Sequence, residues 1–206
     1  SSDVCSSDLA VVMTLTTQGD VPIHYTLDGS EPTAASPRYT GPVEIGKSAR
    51  FRATALREGG ENASYSREFA FSKSTGRPAV LNTKPNDSYT FEGASLLVDG
   101  YHSRPVFTSG AWLGYLDEPL DVTIDMGGEQ SYRSVELETL AEKGDWIFPP
   151  SSVTVWVSDN GTDFTEVASV AVPEAKAGDA DGIGRYRMQF PETSARYLKV
   201  VAQNAA

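Results

Sequence analysis

The chain has 206 residues, 28 of them acidic and 17 basic, for a formal charge of -11. A surface that acidic repels phosphate backbones, heparin-like polymers and anionic headgroups, which excludes nucleic acid and acidic lipid as partners and leaves neutral sugars and divalent cations open. Its 18 Gly and 12 Pro with few helix-period runs point to an all-β protein, and no apolar run approaches the roughly 18 residues of a membrane span.

The charge is uneven. Residues 10–78 hold 7 acidic against 8 basic side chains, whereas residues 79–206 hold 19 against 9, so the second part carries the acidity. The first nine residues, Ser1 to Leu9, resemble the translation of a short sequencing adapter and are set apart as a library artefact. The single cysteine, Cys5, lies among them, so the remainder can form no disulfide. Ala10 to Leu15 already reads as a strand, and the chain is taken as a fragment whose parent begins upstream.

Strands are expected near residues 10–16, 22–27, 43–45, 50–56 and 66–71, separated by Gly, Pro and Asn clusters. Ile23, Tyr25 and Leu27 alternate onto one face, with His24 and Thr26 on the other. Asp28-Gly29 then supplies the positive φ of a tight turn, and Glu31-Pro32 stops the ladder. Phe51, Ala53 and Ala55 point inward while Arg50 and Arg52 meet water. At about 65 residues this module buries only roughly 60% of its unfolded surface and gains from neighbours.

Tyr25-Thr26-Leu27-Asp28-Gly29-Ser30-Glu31-Pro32-Thr33, followed by Ser36-Pro37-Arg38-Tyr39-Thr40-Gly41-Pro42-Val43-Glu44-Ile45, resembles the signature of the chitobiase/β-hexosaminidase C-terminal domain and its fibronectin-associated relatives. The resemblance implies a small Ig/fibronectin-like β-sandwich over residues 10–72 that performs no chemistry. Residues 73–85 read as a linker, part of which can form the first strand of the second module.

From residue 86 the pattern changes. Val122, Ile124 and Met126 alternate with Asp121, Thr123 and Asp125, as in a strand with one wet face. Asn160-Gly161 is a strong hairpin signal joining Val153–Ser158 to a strand over Phe164–Val170. Tyr186, Met188 and Phe190 alternate with Arg185, Arg187 and Gln189. Leu97-Val98-Asp99-Gly100, Trp112-Leu113-Gly114-Tyr115, Trp146-Ile147-Phe148 with Pro150, Val155-Trp156-Val157-Ser158-Asp159-Asn160-Gly161, and Arg196-Tyr197-Leu198-Lys199-Val200 together resemble a discoidin, or coagulation factor five/eight type C, domain. That implies a jelly-roll β-sandwich over residues 86–206, acting as a carbohydrate-binding module. Relatives continue into a last strand bearing an acid, so the resemblance also implies truncation after Ala206.

No nucleophile elbow, metal-binding His pair or phosphate loop is present, and the acid pairs Asp117/Glu118 and Asp179/Asp181 read as a solvated rim rather than a glycosidase pair. The chain is therefore expected not to be an enzyme. The discoidin resemblance implies a structural calcium at Asp99, Tyr101, Thr108 and Ser109; the alternative is that Asp99 caps a turn through its own backbone bonds. Sugar modules stack pyranose rings on exposed aromatics. Trp112 and Trp146 keep two readings open, core packing first and a stacking platform second, while Trp156 lies opposite Val155 and Val157. His102 and Arg104 are loop residues of the kind that contacts hydroxyls. Three Asn-x-Ser/Thr sequons, at Asn62, Asn86 and Asn160, carry no weight.

The order of the two modules resembles the tail of a bacterial exo-β-N-acetylhexosaminidase of glycoside hydrolase family twenty. It implies a non-catalytic accessory piece of a secreted, periplasmic or cell-surface enzyme, with an upstream catalytic domain and glycans ending in N-acetylhexosamine or galactose-type sugars as partners. Two rivals stay open: a spacer without ligand, and accessory modules of an adhesin or another glycosidase.

Overall fold

A computed structural model describes residues 10–17, 19–57, 59–176 and 178–205. The adapter-like residues 1–9 and Cys5 lie outside them. The described elements are strands and short 3-10 turns, and the chain divides into two compact units: Ser1–Gly76 with Asp99–His102, and Arg77–Val98 with Ser103–Ala206. Among the described residues no helix is long and apolar enough to cross a membrane.

In the first unit β1 (Val11–Met13) pairs with β3 (Val43–Ile45), and β2 (Ile23–Thr26), β4 (Ala49–Ala55) and β5 (Ala63–Phe69) form a three-stranded antiparallel sheet in the order β2-β4-β5. Two-residue alternation puts Phe51 and Ala53 of β4 inside, where Phe51 and Phe69 are each 1% exposed beside Met13 and Ile45. Arg50 and Arg52 point outward, and Arg52 pairs with Glu31 at 2.5 Å. The expected turn forms: Gly29 has φ 85°, and Asp28 Oδ1 accepts the Ser30 N–H at 2.9 Å. Leu27 departs from the expected inward face. It lies beyond the end of β2 and is exposed, although its carbonyl still accepts the Arg50 N–H of β4 at 3.1 Å.

The second unit is one five-stranded sheet in the order β6-β7-β10-β8-β9. Its strands are β6 (Ala79–Leu81), β7 (Leu120–Ala141), β8 (Ser152–Ser158), β9 (Thr165–Ala171) and β10 (Gly182–Gln203). Residues 73–85, read as a linker part of which can form the first strand of the second module, include that strand. Thr75 is buried, Ala79–Leu81 pairs with β7, and the Asn82 amide donates to Asp121 Oδ1 at 2.8 Å.

β7 and β10 run antiparallel over almost their whole lengths, but two register breaks bend them. At one, residues 126–129 of β7 oppose the single Arg196 of β10; at the other, residues 190–192 of β10 oppose Arg133. Each bulge carries an ion pair: Arg196 forks onto Asp125 at 2.9 and 2.8 Å, and Arg133 meets Glu192 at 2.7 Å. Bulges increase twist and redirect a strand, so both ends of this hairpin contribute to one core. Val122, Ile124 and Met126 from one end join Met188 and Phe190 from the other in one cluster with Val153, Val155, Leu198 and Val200. Val153 and Val155 are fully buried, each contributing about 1.5–3 kcal/mol by leaving water.

Candidate functional site

β7 ends at Ala141 and the chain at once makes a tight turn. The N–H of Glu142 donates to Ile147 O at 2.9 Å and the N–H of Ile147 returns to Glu142 O at 3.1 Å, closing the base. Within it Lys143–Asp145 makes one 3-10 turn, and the Trp146 N–H donates to Lys143 O at 3.2 Å. Pro149-Pro150 ends it. Closing the turn forces Trp146 into the left-handed region at φ 61°, ψ 27°. For a bulky residue that conformation costs on the order of 1–3 kcal/mol, and such strain concentrates at functional positions.

The return on that strain is presentation. The Trp146 side chain is lifted off the surface and the residue is 85% exposed. Phe148, two residues on and 44% exposed, stands edge to face with it, centroids 6.4 Å apart and planes at 75°. The packing expected first for Trp146 is thus overturned: the turn projects its ring away from the core. Phe148 is missed by sequence reasoning because residues 146–148 read as framework; the alternation of Trp146 and Phe148 about half-buried Ile147 is the signal that could find it.

The turn is pinned from the side. Asp181, just ahead of β10, accepts the Lys143 backbone N–H on Oδ1 at 3.2 Å and pairs through the same oxygen with Lys143 Nζ. Hydrogen bonds from the Lys143 ammonium and backbone N–H hold the Asp181 carboxyl below its ordinary pKa. The pair borders a groove of about 370 Å³, bounded by Pro149, Val172, Pro173, Ile183 and Tyr186. Asp181 is exposed, as expected of a solvated rim acid, and also anchors the turn through Lys143, and neither residue stands out in the sequence as a site residue.

The other expected residues belong to other segments of the chain. Trp112 is half-buried and its Nε1–H donates to Arg104 O at 2.8 Å, so the indole braces the loop on which Arg104 sits exposed. Asp99, Tyr101 and His102 group with the first unit. Asp99 Oδ1 accepts the Tyr101 N–H at 2.9 Å, which is the turn-capping alternative. The Tyr101 ring lies 5.0 Å from that of Phe69 with the Arg67 guanidinium 3.6 Å from its centroid, and the His102 N–H donates to Glu68 O at 3.3 Å. Thr108 and Ser109 lie exposed in the 3-10 turn Phe107–Ser109 of the second unit, where Ser109 Oγ accepts the Ala111 N–H at 3.4 Å. The four residues assigned to calcium therefore fall in different units. No group of three His, Cys, Asp or Glu able to hold a metal occurs among the described residues.

Residues 82–206 match the model of the F5/8 type C domain. This chain belongs to that family. Residues 13–69 match the Fn3 associated domain, and no curated protein matches the sequence. Among solved structures, the F5/8 type C chain is similar to chitosan-binding module 2 of a chitosanase/glucanase from Paenibacillus sp. IK-5, in complex with chitotriose (17% identity, TM-score 0.43, covering 65% of this chain and 88% of that one). It is also similar to CpGH89CBM32-5 from Clostridium perfringens, in complex with GalNAc-β-1,3-galactose (17% identity, TM-score 0.42, 63% and 85%). A third is CBM32-3 from a family 31 glycoside hydrolase of Clostridium perfringens (20% identity, TM-score 0.39, 65% and 81%).

Proposed function

We propose that this chain is a non-catalytic accessory piece of a glycan-processing protein, and that its F5/8 type C domain binds a neutral sugar by stacking it on Trp146. The observation that carries the reading is the presentation of Trp146: a strained backbone, an indole almost wholly in water and a second aromatic ring set across it. An exposed indole gains most by covering an apolar C–H face, and a pyranose ring supplies one together with hydroxyls for the polar flank of the turn. The acidic charge of this part of the chain favours neutral sugars over uronic or sulfated ones.

The order of an Fn3 associated domain and an F5/8 type C domain supports a parent of the β-N-acetylhexosaminidase kind, secreted, periplasmic or at the cell surface, with glycans ending in N-acetylhexosamine or galactose-type sugars as ligands. A shallow platform encloses little area, so affinity falls in the millimolar to high micromolar range. Titration calorimetry with N-acetylglucosamine, N-acetylgalactosamine and galactose tests it. The chain should bind at least one, Trp146→Ala should lose that binding without lowering the melting temperature, and binding that survives Trp146→Ala overturns the assignment.

A further inference from the structure

The groove beside the Trp146 turn has its own construction. The turn contributes Lys143 and Pro149 to its lining, and the segment after β9 contributes Val172, Pro173 and Ala175. The strand that lines it includes Gly184, where a Cβ would stand 3.1 Å from Tyr186 Oη and 3.2 Å from Thr139 Oγ1, close enough that these side chains would have to give by a few tenths of an ångström. Its volume, about 370 Å³, is at the lower end of the size of ligand sites, and its lining mixes apolar residues with a few polar groups. Those groups are Lys143, Asp179, Asp181 and Tyr186. The Lys143–Asp181 pair puts a fixed donor next to a fixed acceptor, the arrangement that adjacent sugar hydroxyls match by giving one hydrogen bond and taking another.

We propose that this groove, which shares with Trp146 the turn that supplies Lys143 and Pro149 to its lining, is a second saccharide subsite that takes the neutral ring next to the one stacked on the indole, with Lys143 and Asp181 as its polar contacts. The proposal rests on the stacking role of Trp146. Two carboxylates against one ammonium exclude an anionic ring, and the apolar walls match the C–H faces of a pyranose.

The test compares one ring with two. N-acetylglucosamine against its β-1,4-linked disaccharide, and galactose against lactose, are titrated into the intact chain and into Ala175→Trp, which fills the groove, and Asp181→Asn, which unsettles its polar pair. The wild-type chain should bind a disaccharide about tenfold tighter than the matching monosaccharide. Both variants should lose that ratio, and Ala175→Trp should leave monosaccharide affinity unchanged at an unchanged melting temperature. Equal affinity for one and two rings in the wild type, or a ratio that persists in both variants, overturns the subsite while leaving Trp146 in place. Failure of every monosaccharide and disaccharide to bind overturns the Trp146 reading, and the groove with it.

Discussion

At the scale of single residues, Trp146 is where conformational cost and exposure coincide, and the two separate by substitution. Glycine adopts φ 61° without strain, so Trp146→Gly relieves the backbone, although it also frees the unfolded chain. Stability should rise by up to about 1 kcal/mol, seen as a higher denaturant midpoint at constant m-value, while sugar binding is lost. Trp112 behaves in the opposite way. Trp112→Phe keeps a ring but removes the donor to Arg104 O, and should cost about 1 kcal/mol of stability with no change in sugar affinity. Asp99 carries a proposal of its own: calcium, implied by resemblance, would stabilise the folded chain by mass action. Adding calcium should raise the melting temperature and Asp99→Ala should abolish that increment; superimposed melting curves with calcium and with chelator remove the ion and leave Asp99 as the cap of the Tyr101 turn.

At the scale of elements, the bent β7–β10 hairpin depends on its bulges, and one of them is sensitive to acid. The Arg196 fork, with help from the Gly127 N–H, brings Asp125 down to about 2. Because this folded pKa is below the ordinary carboxylate value near 3.9, the contribution is complete above about pH 4 and lost as pH falls through 2. The pair is partly exposed, so the contribution is modest. Asp125→Asn should flatten the fall in stability between about pH 4 and 2, as read from denaturant midpoints across that range; an unchanged acid limb excludes the bulge as its source. The hairpin also shows what sequence conveys and what it does not. Alternation in 122–126 and 186–190 and the Asn160-Gly161 turn are legible, because each depends on neighbours within a few residues. The bulges are not, since a register break is defined only against a partner strand some sixty residues away. The same limit hides the site: the type of residue 146 is visible in sequence, but its exposure comes from how Glu142 and Ile147 close the turn, and its anchor, Asp181, is held in place by the Gly182–Ala141 pairing.

At the scale of the whole chain, the proposed accessory role predicts no turnover. Glycoside hydrolysis needs a positioned acid and a nucleophile or base, whereas Asp125 and Asp181 are committed to ion pairs and turns and Asp117 stands in solvent. A chromogenic N-acetylglucosaminide should stay uncleaved by the purified chain, and measured turnover would overturn the accessory role. The three indoles are unequally placed, with Trp112 and Trp156 half-buried and Trp146 in water. The long-wavelength edge of the emission spectrum therefore belongs mainly to one residue. The chain carries its own optical probe: iodide should quench that edge first, and a ligand that covers the indole should shift it to the blue and shield it from the quencher, so occupancy can be followed without a label.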